Sequence, residues 1–203
     1  MESKRKSDVY AKNVVEFVAV ASEFCHVVES ASQYNRTGLV DHTRKLLPLL
    51  YFKASLLPDV SSSLDESLEK YVTELEYNLH LDKWMQKLDE YDAFYEVFDP
   101  EIQFGSETVT ASISENILDI YQDLKDFLTA YSLGDEDVMH DALAECRDHF
   151  RDFWGQRLVN VLRALHQLYA LGDRLEEERG KIQGNRDNTH RSSNWVDRFF
   201  DQE

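Results

Sequence analysis

Glycine and proline are nearly absent from this chain: seven and three in 203 residues, where average usage would supply roughly 14 and 10. Glycine opens positive-φ turns and proline fixes corners, and β-rich folds need both at short intervals. Their scarcity excludes collagen-like and linker-rich chains and weighs against a turn-dense β-sandwich. The hydrophobic content of 42%, with 12% aromatics, is too high for a disordered chain. The length fits one domain, or one domain and a tail.

Helical periodicity fills the space that turns leave. On a wheel of about 100° per residue, residues 8–32 predict one long helix. Asp8 is its candidate cap, with Tyr10, Val14, Phe17, Val18, Ala21, Cys25 and Val28 inward. A second helix over 40–56 is apolar nearly all round from Leu46 onward, with Lys53 and Ser55 as the polar exceptions there, and is expected at the centre of a bundle. Pro48 kinks it or opens its regular part, and Pro58 ends it. Ser61–Ser63 predict a cap for a helix from Leu64, with Leu68, Tyr71, Val72, Leu75 and Leu79 inward. Trp84, Leu88, Tyr91 and Tyr95 point about 180° away from that stripe, so a break near His80–Asp82 is expected, with Asp82 capping a second helix.

The helical period lapses over 96–113, where Thr108-Val-Thr-Ala111 suggests an extended strap. Ser112-Ile-Ser-Glu115 is a capping box that opens a helix to Tyr131. A turn at Leu133-Gly134-Asp135 leads into a last long helix from Glu136 to Leu171, ended by Gly172. Its stripe is Leu143, Cys146, Phe150, Phe153, Trp154, Leu158, Val161, Leu165 and Leu168, and Gly155 marks a bend or a close contact. The expected fold is all-α: a bundle of five or six helices with a short irregular or β-like strap near 96–113. Residues 1–172 form the bundle and 173–203 a charged and polar tail. Within that tail 183–194 carry no apolar residue and are expected to be mobile. Trp195, Val196, Phe199 and Phe200 then form an aromatic motif that needs a docking groove, in cis or on a partner.

The net charge is −17, and it is unevenly placed. Residues 59–101 hold 13 acids and 3 bases, residues 102–148 hold 11 and 2, and the remainder sums to +2. Such a field repels phosphate backbones, so nucleic acid is an unexpected partner, whereas a basic protein or a second copy is compatible. No run approaches the ~18 apolar residues of a membrane span. The basic start Met1–Lys6 is followed by no signal-type apolar stretch, since Glu16 interrupts Val14–Val20. Cys25 and Cys146 read as reduced core thiols of a cytoplasmic protein.

Candidate chemistry is sparse. Glu23-Phe-Cys-His26 has a di-metal spacing, but both ligands lie away from the apolar stripe, and Glu145 and His149 are wrongly spaced to partner them. Glu66-x-x-Glu69 and Asp89-x-x-Asp92 could suit a hard cation, yet no phosphate-holding set accompanies them. No cofactor is therefore expected. No nucleophile elbow, phosphate loop or zinc pattern occurs. Asp119, Asp123 and Asp126 form an acid stripe read as opposite the core, available to a basic partner. Arg157 falls about 40° from the centre of its helix's apolar stripe, and Arg147 is placed similarly. An inward guanidinium needs anionic partners. Either it forms an internal ion pair, or Arg157, Arg147, Trp154 and Tyr121 wall a pocket for a small anion or nucleotide-type ligand.

Three segments carry a resemblance: Leu46-Leu-Pro-Leu-Leu-Tyr-Phe-Lys-Ala-Ser-Leu-Leu-Pro58, Asp119-Ile-Tyr-Gln-Asp-Leu-Lys-Asp-Phe127 and Trp154-Gly-Gln-Arg-Leu-Val-Asn160. They resemble domain-of-unknown-function family 5063, an uncharacterised bacterial group common in Bacteroidetes, over most of residues 8–170. The resemblance implies a cytoplasmic, mainly helical domain with no assigned activity, and carries over no catalytic residue. The functional expectation is a non-enzymatic interaction or adaptor domain with an acidic surface. Its rival is a ligand-binding protein or enzyme centred on Arg157.

Overall fold

The computed structural model describes residues 8–62, 68–96 and 109–176. Six α-helical segments make up most of it: α1 (Lys12–Glu29), α2 (Arg36–Ala54), α3 (Glu74–Leu88), α4 (Ile113–Ser132), α5 (Glu136–His149) and α6 (Gly155–Ala170). The strands β1 (Ala93–Tyr95) and β2 (Thr110–Ser112) pair antiparallel, with Phe94 opposite Ala111. The strap is thus a two-stranded ribbon; residues 97–108 lie outside the described part. The architecture is the expected all-α bundle, with α5 and α6 joined end to end.

The central helix is α4, which packs on α1, α3, α5 and α6. Its entry is built by side chains. Ser112 accepts the Glu115 N–H at 3.0 Å, as the capping box predicts. Asp92 adds a second cap from across the ribbon, accepting the Ser114 N–H at 2.8 Å and the Ser112 hydroxyl at 2.6 Å. A carboxylate at a helix N-terminus is favoured by the orphan N–H groups and the dipole. Asp92 is therefore committed to α4 and cannot serve the cation pair suggested with Asp89.

The apolar helix α2 packs on α1 and α6, not at the centre. It starts earlier than its periodicity predicts, because Asn35 caps it by accepting the Gly38 N–H at 3.0 Å. A Cβ on Gly38 would lie 2.5 Å from that Asn35 oxygen, so this glycine belongs to the cap and not to a turn. The inner face of α2 is Leu39, Val40, Thr43, Leu46, Leu47, Leu50 and Ala54. The opposite face leaves Leu49, Phe52 and Leu56 exposed at 44%, 54% and 39%.

Between Pro58 and α3 the chain is not helical where described. Tyr71 and Val72 belong to no helix or strand, and Thr73 caps α3 by accepting the Glu76 N–H at 3.2 Å. The expected break at His80–Asp82 does not occur. The helix is continuous and chooses one of its two apolar sets: Trp84 and Leu88 are buried, while Leu75 is 81% exposed and Leu79 is also in solvent. Trp84 decides the choice. It fills the core and donates its indole N–H to the Val28 carbonyl at 3.3 Å. Trp84 and Leu88 together offer more apolar area than Leu75 and Leu79, and the buried indole needs that hydrogen bond. At the N-terminus Ala11, not Asp8, stands at the start of α1, and Tyr10 is half-exposed.

Phe150–Trp154 form a π-helical turn between α5 and α6, closed by the Gly155 N–H donating to the Phe150 carbonyl. A Cβ on residue 155 would sit 2.3 Å from that carbonyl oxygen and 3.0 Å from the Phe150 ring. The close contact foreseen at Gly155 is therefore with the helix's own backbone. A π turn holds one residue more than an α turn spans. The extra residue buries Trp154, whose indole donates to the Cys146 carbonyl at 3.3 Å. It also turns Phe153, expected inward, out to 41% exposure.

Candidate functional site

Asp119, Asp123 and Asp126 share one face of α4, and because α4 is central that face is covered. The expected open acid stripe is instead an internal seam, and each carboxylate has a different partner. Asp119 accepts the Tyr77 hydroxyl at 2.9 Å and pairs with Arg157 at 3.0 Å. Asp123 takes the His149 Nδ1 at 2.8 Å. Asp126, only 6% exposed, accepts the Tyr71 and Val72 N–H groups at 2.7 and 2.9 Å, both on Oδ1. Asp126 thereby pins the segment of chain that leads into α3. Backbone capture by a distant carboxylate leaves no periodic signal, so the sequence did not reveal it.

Next to the seam, Tyr121 is fully buried and donates or shares its hydroxyl with Glu29 and Glu76, each at 3.1 Å. Glu29 also receives Lys125 at 2.6 Å. Burial would push the Glu29 carboxyl up, but the Lys125 ammonium overrides it and holds the group below its ordinary value. The Tyr121 hydroxyl is pushed well up by burial and by the two carboxylates. His80 packs edge-on against Tyr121 with ring centroids 5.5 Å apart, and burial holds its imidazole below the ordinary range. Its Nδ1 is buried without a hydrogen-bond partner among the described residues.

The four residues expected to wall a ligand pocket are not brought together. Arg157 is half-buried, 35% exposed. It bonds Asn116 at 3.1 Å and lies over the Phe153 ring at 4.4 Å. The π turn moves it from the core to the bundle edge, so it is less buried than its wheel position implies. Arg147 lies elsewhere, between Asp59 and Asp148. Trp154 and Tyr121 are core residues. Both arginines are spent on internal ion pairs.

One small cavity, about 20 Å³, lies beside Asp123, His149, Cys146, Glu145 and Lys70. It has room for about one water. The second Asp123 oxygen is buried without a partner among the described residues, and burial pushes this carboxyl up despite the His149 hydrogen bond. An aspartate that orients a histidine is one part of a nucleophilic site. Cys146, which lines the same cavity, is a buried free thiol pushed far up by burial. Cys25 is likewise a buried free thiol pushed up by desolvation. Among the described residues no group of three or more His, Cys, Asp or Glu side chains is placed to hold a metal ion, and Glu23 and His26 face solvent. No described helix is long and apolar enough to cross a membrane. Glu66, Trp195, Phe199 and Phe200 lie outside the described residues.

Comparison with known proteins bears on the fold and the family. A solved structure of protein BF1032 from Bacteroides fragilis superposes with a TM-score of 0.70 at 44% identity, covering 79% of this chain and 94% of that one. Among curated proteins no relative matches. The sequence profile of the domain of unknown function DUF5063 matches residues 8–171, a span that takes in every helix of the bundle and the seam through α4. The chain belongs to the DUF5063 family.

Proposed function

We propose that this chain is a non-enzymatic interaction module and that its working surface is the outer face of α2. The observation that carries this reading is the apolar stripe Pro48, Leu49, Phe52 and Leu56, exposed on a helix whose other face is already fully used in the core. A helix hydrophobic on both faces is normally covered on both. The groups near the cavity support the same reading, because Lys70 pairs with Glu145, His149 pairs with Asp123, and the Cys146 thiol is buried.

The occupant we assign is the aromatic motif Trp195, Val196, Phe199 and Phe200 of this chain or of a second copy. The described chain ends at Glu176, which accepts the Thr37 N–H at 2.6 Å at the start of α2. Eighteen residues separate Glu176 from Trp195, enough to span roughly 60 Å. From Thr37 to Phe52 along α2 is about 22 Å at the helical rise. Two or three aromatics matched to such a stripe supply the buried area that a lone helical turn needs in order to form.

A double-mutant cycle on the full chain tests this. Phe52→Ala and Trp195→Ala are each expected to lower thermal stability or molecular mass in solution, and together to do no more than either alone. A stability loss independent of protein concentration means docking in cis; loss of a dimer on dilution means a second copy. Additive effects, or none, overturn the proposal.

A further inference from the structure

Despite the net charge of −17, one groove of the bundle is cationic. It lies between the first turn of α2 and the second half of α3, has a volume of about 450 Å³, and is lined only by polar side chains, among them Asn35, Arg36, Lys83, Lys87 and Glu176. That volume is in the range of small-molecule sites, and the lining excludes an apolar ligand. Lys83 and Lys87 stand one turn apart on α3, both half-buried. Among the described residues neither has a carboxylate within ion-pair distance. Like charges at this spacing repel, a cost that an anion in the groove would offset.

Arg36 is fixed in the groove without being neutralised. It donates to the Lys87 carbonyl at 2.7 Å and the Leu175 carbonyl at 3.0 Å, and its guanidinium lies 5.2 Å from the centre of the Tyr91 ring. Both hydrogen-bond partners are neutral, so its full charge stays at the site. The groove already holds an oxyanion, the Glu176 carboxylate on the Thr37 N–H at 2.6 Å. That N–H holds the Glu176 carboxyl below its ordinary value, and Arg36 and Lys87 add to the effect. Among the described residues, three cations line the groove against one carboxylate.

We propose that this groove binds a multiply charged oxyanion, of the phosphate-ester or polycarboxylate kind, with the Glu176 carboxylate holding its place in the free chain. The ligand displaces Glu176 from the α2 N-terminus, where N–H groups and dipole favour negative charge, and is flanked by Lys83 and Lys87. This site is independent of the α2 stripe.

Isothermal titration calorimetry on the full chain tests it, with inorganic pyrophosphate as the phosphate probe and citrate as the carboxylate probe, each against sodium chloride at matched ionic strength. Saturable binding of either probe is expected, and the stronger of the two identifies the chemistry. The double variant Lys83→Gln/Lys87→Gln should weaken it at least tenfold. Glu176→Gln should tighten it several-fold, because the competing charge is gone; this second variant moves affinity in the direction that damage to the fold would not. No saturation beyond the salt control with either probe, or affinity unchanged by the lysine variant, overturns the proposal.

Discussion

Removing the Asp126 carboxylate should detach the segment that leads into α3. In Asp126→Ala, the Tyr71 and Val72 N–H groups both lose their acceptor, and Val72, buried against the core, loses its anchor. A hydrogen bond to a charged acceptor contributes about 1.5–3 kcal/mol, against about 1 for a neutral one. Two such bonds put the cost at roughly 3–6 kcal/mol. Both N–H groups bond the same oxygen, so Asp126→Asn can keep them with its amide oxygen and lose only the charge assistance, a cost of roughly 1–4 kcal/mol. For a chain of this size that translates to melting-point losses of roughly 6–24 °C and 2–16 °C, with the alanine variant the larger. Urea unfolding of the two variants measures the energies, and amide hydrogen exchange at Tyr71 and Val72 locates the change. Asp152→Ala, a substitution at an exposed ion pair, serves as the reference near zero. If Asp126→Ala costs no more than Asp152→Ala, or if alanine and asparagine cost the same, the internal seam is refuted and the open acid stripe is restored.

Three further outcomes are expected. Gly155→Ala should cost at least about 2–4 kcal/mol by thermal unfolding, since its methyl meets the Phe150 carbonyl and something in the π turn must move; a melting point within a degree or two of wild type would refute that contact. The Asp123 carboxyl is raised in the folded state by burial, so its contribution to stability is fully present below the ordinary carboxylate range and is lost as pH rises through the folded value. Asp123→Asn removes that loss, and its unfolding free energy relative to wild type should therefore improve from pH 4 to pH 7; the opposite slope would count against a desolvated carboxylate. Cys25 and Cys146, both buried with thiols pushed up, should resist iodoacetamide at pH 8 in the folded chain and take two equivalents in urea, as read by mass spectrometry.

The parts of the fold that the sequence announced are those written in local chemistry. Ser112 and Glu115 mark the start of α4, Gly172 at φ +58° closes α6, and the apolar stripes of α4 and α6 are buried as their periodicity requires. What it did not announce depends on which helix the others surround. The apolarity of α2 alone cannot say whether its second face meets the bundle or solvent. The same ignorance put Asp119, Asp123 and Asp126 outside, since a wheel gives an angle but no neighbour. Two apolar sets on α3 demanded a break or a sacrifice, and only the fit of Trp84 into the core decides for sacrifice. Arg157 was legible as a paired guanidinium, and Asp119 is its partner. Its true depth was not, because one additional residue upstream shifts every later angle.

That additional residue in the Phe150–Trp154 turn makes the α5–α6 rod a screw with a phase step. Deleting any one of its five residues would restore an unbroken α-helix and rotate all of α6 by about 100° relative to α5. Leu158, Val161, Leu165 and Leu168 would sweep off α2 and α4 together, and Arg157 would swing away from Asp119, although every one of those side chains would still be present. In this stretch the fold is specified by how many residues there are, and removing even an exposed one, such as Asp152, would disconnect the two halves of the bundle.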